Sequence, residues 1–140
     1  MLKKKNMKQH EWKEEFNVNV EFIDEQHKYF LNILNLLIRI VDGDESVEKA
    51  REVFFSLAHY AEHYLIQEEI YFKNYHFPKF SEHQEDHKEF IDRVTKFQHD
   101  FEMNKEDNCR ELLEYLEDWF NNHILGYDSD AVQFLQAKGL

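Results

Sequence analysis

At 140 residues the chain is long enough for one domain with a sizeable core and short for two. Its formal charge of −12, from 29 acidic and 17 basic side chains, argues against nucleic acid as a partner, because phosphate binding asks for a basic face. With 3 Gly, 1 Pro and 1 Cys it lacks the punctuation of multi-stranded folds and excludes an internal disulfide.

The opening MLKKKNMKQHEW is basic, but no apolar run follows it, so it does not read as a secretory signal. Nothing approaches the roughly 18–20 apolar residues of a membrane span, and the run 31–41 is broken by Asn32, Asn35 and Arg39. With Cys109 as an inert filler, these features suit a reducing cytoplasm and no membrane partner. Residues 1–20 read as an extended arm anchored by Trp12, Phe16, Val18 and Val20, and residues 21–140 as a helical bundle, together one domain over 1–140.

A first helix is predicted over 21–41, with Ile23, His27, Phe30, Leu31, Leu34, Leu37, Ile38 and Val41 inward at steps of three and four. DGDES breaks it, and Ser46 is set to cap a second helix over 46–74. Val53, Leu57, Ala61, Tyr64, Glu68 and Phe72 share one face of that helix. Pro78 ends it, and Ser81 is expected to cap a third helix over 81–103 with the stripe His83, His87, Phe90, Ile91, Val94, Phe97 and Phe101. NKEDN reads as a turn, followed by a fourth helix over 108–125 with Leu112, Leu113, Leu116, Phe120 and His123 inward. Gly126 interrupts it, and a short final helix covers 129–137. The fold class is thus all-α: an up-down-up-down antiparallel four-helix bundle with an N-terminal arm and a short C-terminal helix.

Of nine histidines, His10, His76 and His99 fall on the arm, a turn or a polar face and read as surface residues. His27, His87 and His123 sit within apolar stripes, and His83 lies one turn before His87 on the same line. Glu68 and Asp128 also point inward, and buried carboxylates are expensive unless paired or coordinating. In an antiparallel bundle all six fall at the same end. Asp128 follows His123 by five residues, a step of about 140° past a full turn in an unbroken helix. Gly126 is expected to let the backbone swing the carboxylate back. Mixed imidazole and carboxylate ligands suit iron, manganese or zinc, and six are too many for one tetrahedral zinc, so a pair of metals uses them better. Ferritin-like bundles carry Glu-x-x-His, and no histidine here has a glutamate three residues before it.

The segments IDEQH (23–27), QEEIYF (67–72), HQEDH (83–87) and HILGYD (123–128) resemble those of the bacterial hemerythrins, over nearly the whole chain, and Trp12 fits as well. The resemblance implies two iron ions, oxo- or hydroxo-bridged, that bind O2 reversibly. It implies that His83, His87 and His123 hold one iron, that His27 holds the second, and that Glu68 and Asp128 bridge them.

One position departs from the family pattern. The histidine expected four residues before the bridging glutamate is Tyr64 here, followed by Leu65 in place of the usual phenylalanine. Three arrangements are open: Tyr64 coordinates the second iron as a phenolate; a π-bulge makes positions i and i+5 neighbours and brings in His63; or the second iron keeps an open or water-filled place. A phenolate stabilises Fe(III) and disfavours reversible O2 capture, whereas an open place admits peroxide, nitric oxide or azide. His59, one turn before His63, reads as its surface neighbour. Phe30, Leu31, Trp119 and Phe120, one turn from His27 or His123, are placed to wall the second iron and equally to pack the core.

The expected function is a non-haem di-iron protein that binds O2 or a related small diatomic or peroxide ligand for carriage, storage or sensing. No separate general base or substrate cleft is legible, so the reading is a binding protein rather than an enzyme. The rival is a di-iron redox enzyme acting on peroxide, O2 or nitric oxide with a tyrosine-modified second site, and a third reading is a bundle with a structural or zinc site and no gas chemistry. A sensor would act through a protein partner.

Overall fold

The computed structural model describes residues 9–11, 13 and 20–139, the side chains of 125–129 excepted. Of the expected arm anchors, Trp12, Phe16 and Val18 lie outside the described residues, while Val20 is buried against Ile23 and Val132. His10 reaches the bundle instead of solvent. Its backbone N–H donates to Asn35 Oδ1 at 2.7 Å, its ring Nε2 lies 3.1 Å from Glu117, and the ring tilts onto Phe120.

The helix α1 spans Glu21–Val41, as its steps of three and four predict, and buries Ile23, His27, Phe30, Leu34 and Leu37. The second rod opens with a 3-10 turn at Val47–Lys49, where Ser46 Oγ accepts from the Glu48 N–H at 3.1 Å. It continues as α2 (Ala50–His59), a π-helical segment (Tyr60–Leu65) and α3 (Ile66–Asn74). The third rod is α4 (Phe80–Asp100), ending in a 3-10 turn at Phe101–Met103. The last is α5 (Lys105–Asp118), a second π-helical segment (Trp119–Tyr127) and α6 (Asp128–Ala137).

Four local expectations are corrected. α4 begins at Phe80 with no side-chain cap, so Ser81 lies in its first turn; Lys79 O already accepts from the His83 N–H at 3.0 Å. α5 begins at Lys105 because Asn104 O accepts the Asn108 N–H, and Lys105 is tied to Glu48 at 2.6 Å. Asn and Asp gave this stretch the look of a turn, but acidic residues also suit the positive end of a helix. Ile91 is 39% exposed, because the buried line of α4 is the narrower His83, His87, Phe90, Val94. Gly126 does not break the fourth rod, which passes through wide π turns directly into α6.

α1 packs on α2 and α5, and α4 packs on α2, α3 and α5, so the rods close a ring and the fold is a helical bundle. Short links reverse the chain between them, which makes chain neighbours antiparallel. The main core runs along the axis and is aromatic at its centre. Phe30 meets Tyr60 at 5.2 Å and Phe120 at 6.4 Å, and Phe90 meets Tyr60 at 5.7 Å and Trp119 at 4.3 Å between ring centroids. A smaller cluster of Phe72, Phe77, Ala131 and Leu135 holds α6 across the end of the bundle. Among the described residues, no helix is long and apolar enough to cross a membrane.

Candidate metal centre

Above the aromatic layer, α3 brings Glu68, α4 brings His83 and His87, and the second π segment brings His123 to one place. One ligand atom from each lies within 4.8 Å of all the others. None is more than 2% exposed. His83 and His87 meet because i and i+4 share a helix face; Glu68 and His123 meet them because antiparallel rods put the end of one beside the start of the next.

The atoms aim at a common point. Nε2 of His83 lies 2.6 Å from Glu68 Oε1, and Nε2 of His87 lies 3.1 Å from the same oxygen. The outer nitrogens are held by carboxylates: His87 Nδ1 donates to Glu69 Oε2 at 2.8 Å and His123 Nδ1 to Asp86 Oδ2 at 2.6 Å. Carboxylates only accept, so each of these rings spends its proton outward and turns its Nε2 lone pair inward when neutral. His87 Nε2 makes no hydrogen bond. The inward Nε2 atoms of His87 and His123 are buried without a hydrogen bond beside a buried carboxylate, and this donor set fits a transition metal.

The charges respond accordingly. Burial opposes the His87 imidazolium, but the Glu68 and Glu69 carboxylates outweigh it and raise its pKa. The hydrogen bond from His123 holds Asp86 below the usual carboxylate range against its partial burial. Aromatic rings exclude water around the group. Trp119 stacks on His123 at 3.9 Å and 12°, Phe72 stands edge-on to His83 at 4.9 Å, and Trp119 Nε1 donates to the Tyr60 hydroxyl at 3.3 Å. The expected wall of Phe30, Leu31, Trp119 and Phe120 is buried throughout, and it is core at the same time.

The other expected residues fall as follows. His27 is buried on α1 and stands outside the group of four. The Asp128 side chain lies outside the described residues. The backbone there is informative: i→i+5 turns bring a five-residue step closer to a full revolution, so the π segment returns position 128 toward the face of His123 without a break at Gly126. Tyr64 is half-buried among Tyr29, His59, Tyr60 and His63. Burial, with Glu25 and Tyr29 alongside, raises its pKa and favours the neutral phenol. The π turn suggested for this stretch is present, yet His63 is exposed and stacks on His59 at 5.1 Å.

Three side chains of the centre escaped the sequence reading. Glu69 and Asp86 orient ring nitrogens, and Gln26 is fully buried with its Nε2 donating to Glu68 Oε2. Each adjoins an expected ligand in sequence. The signal was that buried ligating histidines need an acceptor behind them.

The family model of the hemerythrin HHE cation binding domain matches residues 18–135. The chain is 31% identical over 134 residues to a bacteriohemerythrin of Pseudomonas paraeruginosa, covering 91% of this chain and 84% of that protein. It is 25% identical over 125 residues to one of Clostridium acetobutylicum, covering 86% and 97%. It is 28% identical over 127 residues to one of Stenotrophomonas maltophilia, covering 90% and 81%.

Proposed function

Because the chain belongs to the hemerythrin family, we propose that it is a non-haem di-iron protein that binds O2 or a related small ligand reversibly, for carriage, storage or sensing. The observation that carries this reading is the buried convergence of Glu68, His83, His87 and His123 within 4.8 Å. In the proposed site His83, His87 and His123 would hold one iron and His27 the second, with Glu68 and Asp128 serving both. When bound, an iron pair supplies reversible electron exchange with O2 or a similar ligand.

The protein's own residues set the terms of that chemistry. Glu69 and Asp86 fix the His87 and His123 rings and raise their donor strength. Trp119, Phe72 and the aromatic layer beneath exclude water, which protects a reactive ligand from protons.

A second reading, a redox enzyme acting on peroxide, O2 or nitric oxide, draws on Tyr64, which stands where the family pattern has an imidazole. Visible spectra of the iron-loaded protein through cycles of O2 and vacuum separate the two. Charge-transfer bands that appear and vanish with O2 support the carrier. Irreversible oxidation, or a broad phenolate band that Tyr64→Phe abolishes, supports the enzyme. A protein that takes up only zinc and stays colourless refutes both.

A further inference from the structure

Glu68 divides its two oxygens between two sides of the bundle. Oε1 faces the imidazoles of α4, and Oε2 faces Gln26 on α1, the helix that also carries His27. Gln26 is 0% exposed. Since a carboxylate cannot donate, the contact fixes the amide's orientation, nitrogen toward Glu68 and oxygen away from it. An amide's oxygen and nitrogen are about 2.3 Å apart, which leaves Gln26 Oε1 within about 5 Å of Glu68 Oε2. That oxygen is buried and accepts no hydrogen bond. An amide carbonyl in this condition is costly unless something electropositive sits against it.

The Tyr64 ring itself packs among Tyr29, His59, Tyr60 and His63. From this, and resting on the two-ion reading above, we infer that Gln26 is itself a metal ligand: Oε1 coordinates the ion on the α1 side of Glu68, in the place of the imidazole that the chain lacks, while Nε2–H stays on Glu68 Oε2. One amide does both at once, because donor and acceptor are separate atoms. A carbonyl oxygen is also neutral, as imidazole is. The exchange therefore keeps the charge of the site, where a phenolate would add a negative one.

The test is titration of metal-free protein with Co(II), counting bound ions by equilibrium dialysis and following them by visible absorption. Wild type binds two ions. Gln26→Met, close in volume but without the amide, keeps the first ion and binds the second at least ten-fold more weakly. Gln26→Glu, which returns an oxygen to the same place without the N–H donor, keeps the second ion. Circular dichroism of the metal-free variants reports folding, and Gln26→Asn, which withdraws the amide by one methylene, carries the same expectation should Gln26→Met not fold.

If Gln26→Met holds both ions as tightly as wild type, the role of Gln26 is overturned while the two-ion reading stands. Loss of the second ion in both Gln26→Met and Gln26→Glu also overturns it, leaving Gln26 as a positioning residue for Glu68. Loss in Tyr64→Phe with Gln26→Met unaffected gives the place to Tyr64 and overturns it as well. A wild type that binds fewer than two ions defeats the two-ion reading itself, and this inference with it.

Discussion

At His87 and His123 the two ring nitrogens have divided tasks. The outer one is held by Glu69 or Asp86, and the inner one is left for the centre. Outer partners of this kind are worth 10–100-fold in metal affinity, to order of magnitude. Asp86→Ala is therefore expected to weaken Co(II) binding roughly 10–100-fold, measured by competition with a chromophoric chelator, and affinity unchanged by the substitution would remove Asp86 from the site. Sequence alone exposed the inward histidines and Glu68, because helical spacing reports which side chains share a face. It could not expose Gln26, Glu69 or Asp86. Their partners lie on other helices, and each reads locally as a polar residue next to a ligand.

At the scale of the element, α1 was legible to its ends because steps of three and four run through it without interruption. The Ser46 cap was legible too, since a hydroxyl before a helical run satisfies a free N–H. Ser46→Ala is expected to cost about 0.5–2 kcal/mol in chemical unfolding; a loss near zero would mean the 3-10 turn holds without it. The π segments were harder. A ligand spacing of five suggests the first, whereas the second reads in sequence as a break at Gly126, because Gly is the usual helix stop. Wide turns of this kind absorb an extra residue while the flanking helices keep their buried faces. Deleting Leu65 should therefore tighten Tyr60–Leu65 to α geometry and set His63 four positions before Glu68. The expected result is second-ion binding at least about ten-fold tighter in Co(II) titration, since an inward imidazole replaces a weaker oxygen donor. Binding unchanged by the deletion would show that register does not decide the ligand set.

Across the molecule, one arrangement serves both stability and site. The aromatic layer of Phe30, Tyr60, Phe90, Trp119 and Phe120 is core, and through the Trp119–His123 stack it is also the floor of the centre. Four buried ligand atoms meet because rods from distant parts of the chain end at one level, a relation that antiparallel order makes readable from helix lengths alone. The central claim is that this end of the bundle holds two transition ions astride Glu68. Anomalous diffraction at the iron edge, from crystals of iron-loaded protein, tests it most directly. Two peaks are expected, one among His83, His87 and His123 and one on the His27 and Gln26 side of Glu68; a lone peak, or none, overturns the two-ion site.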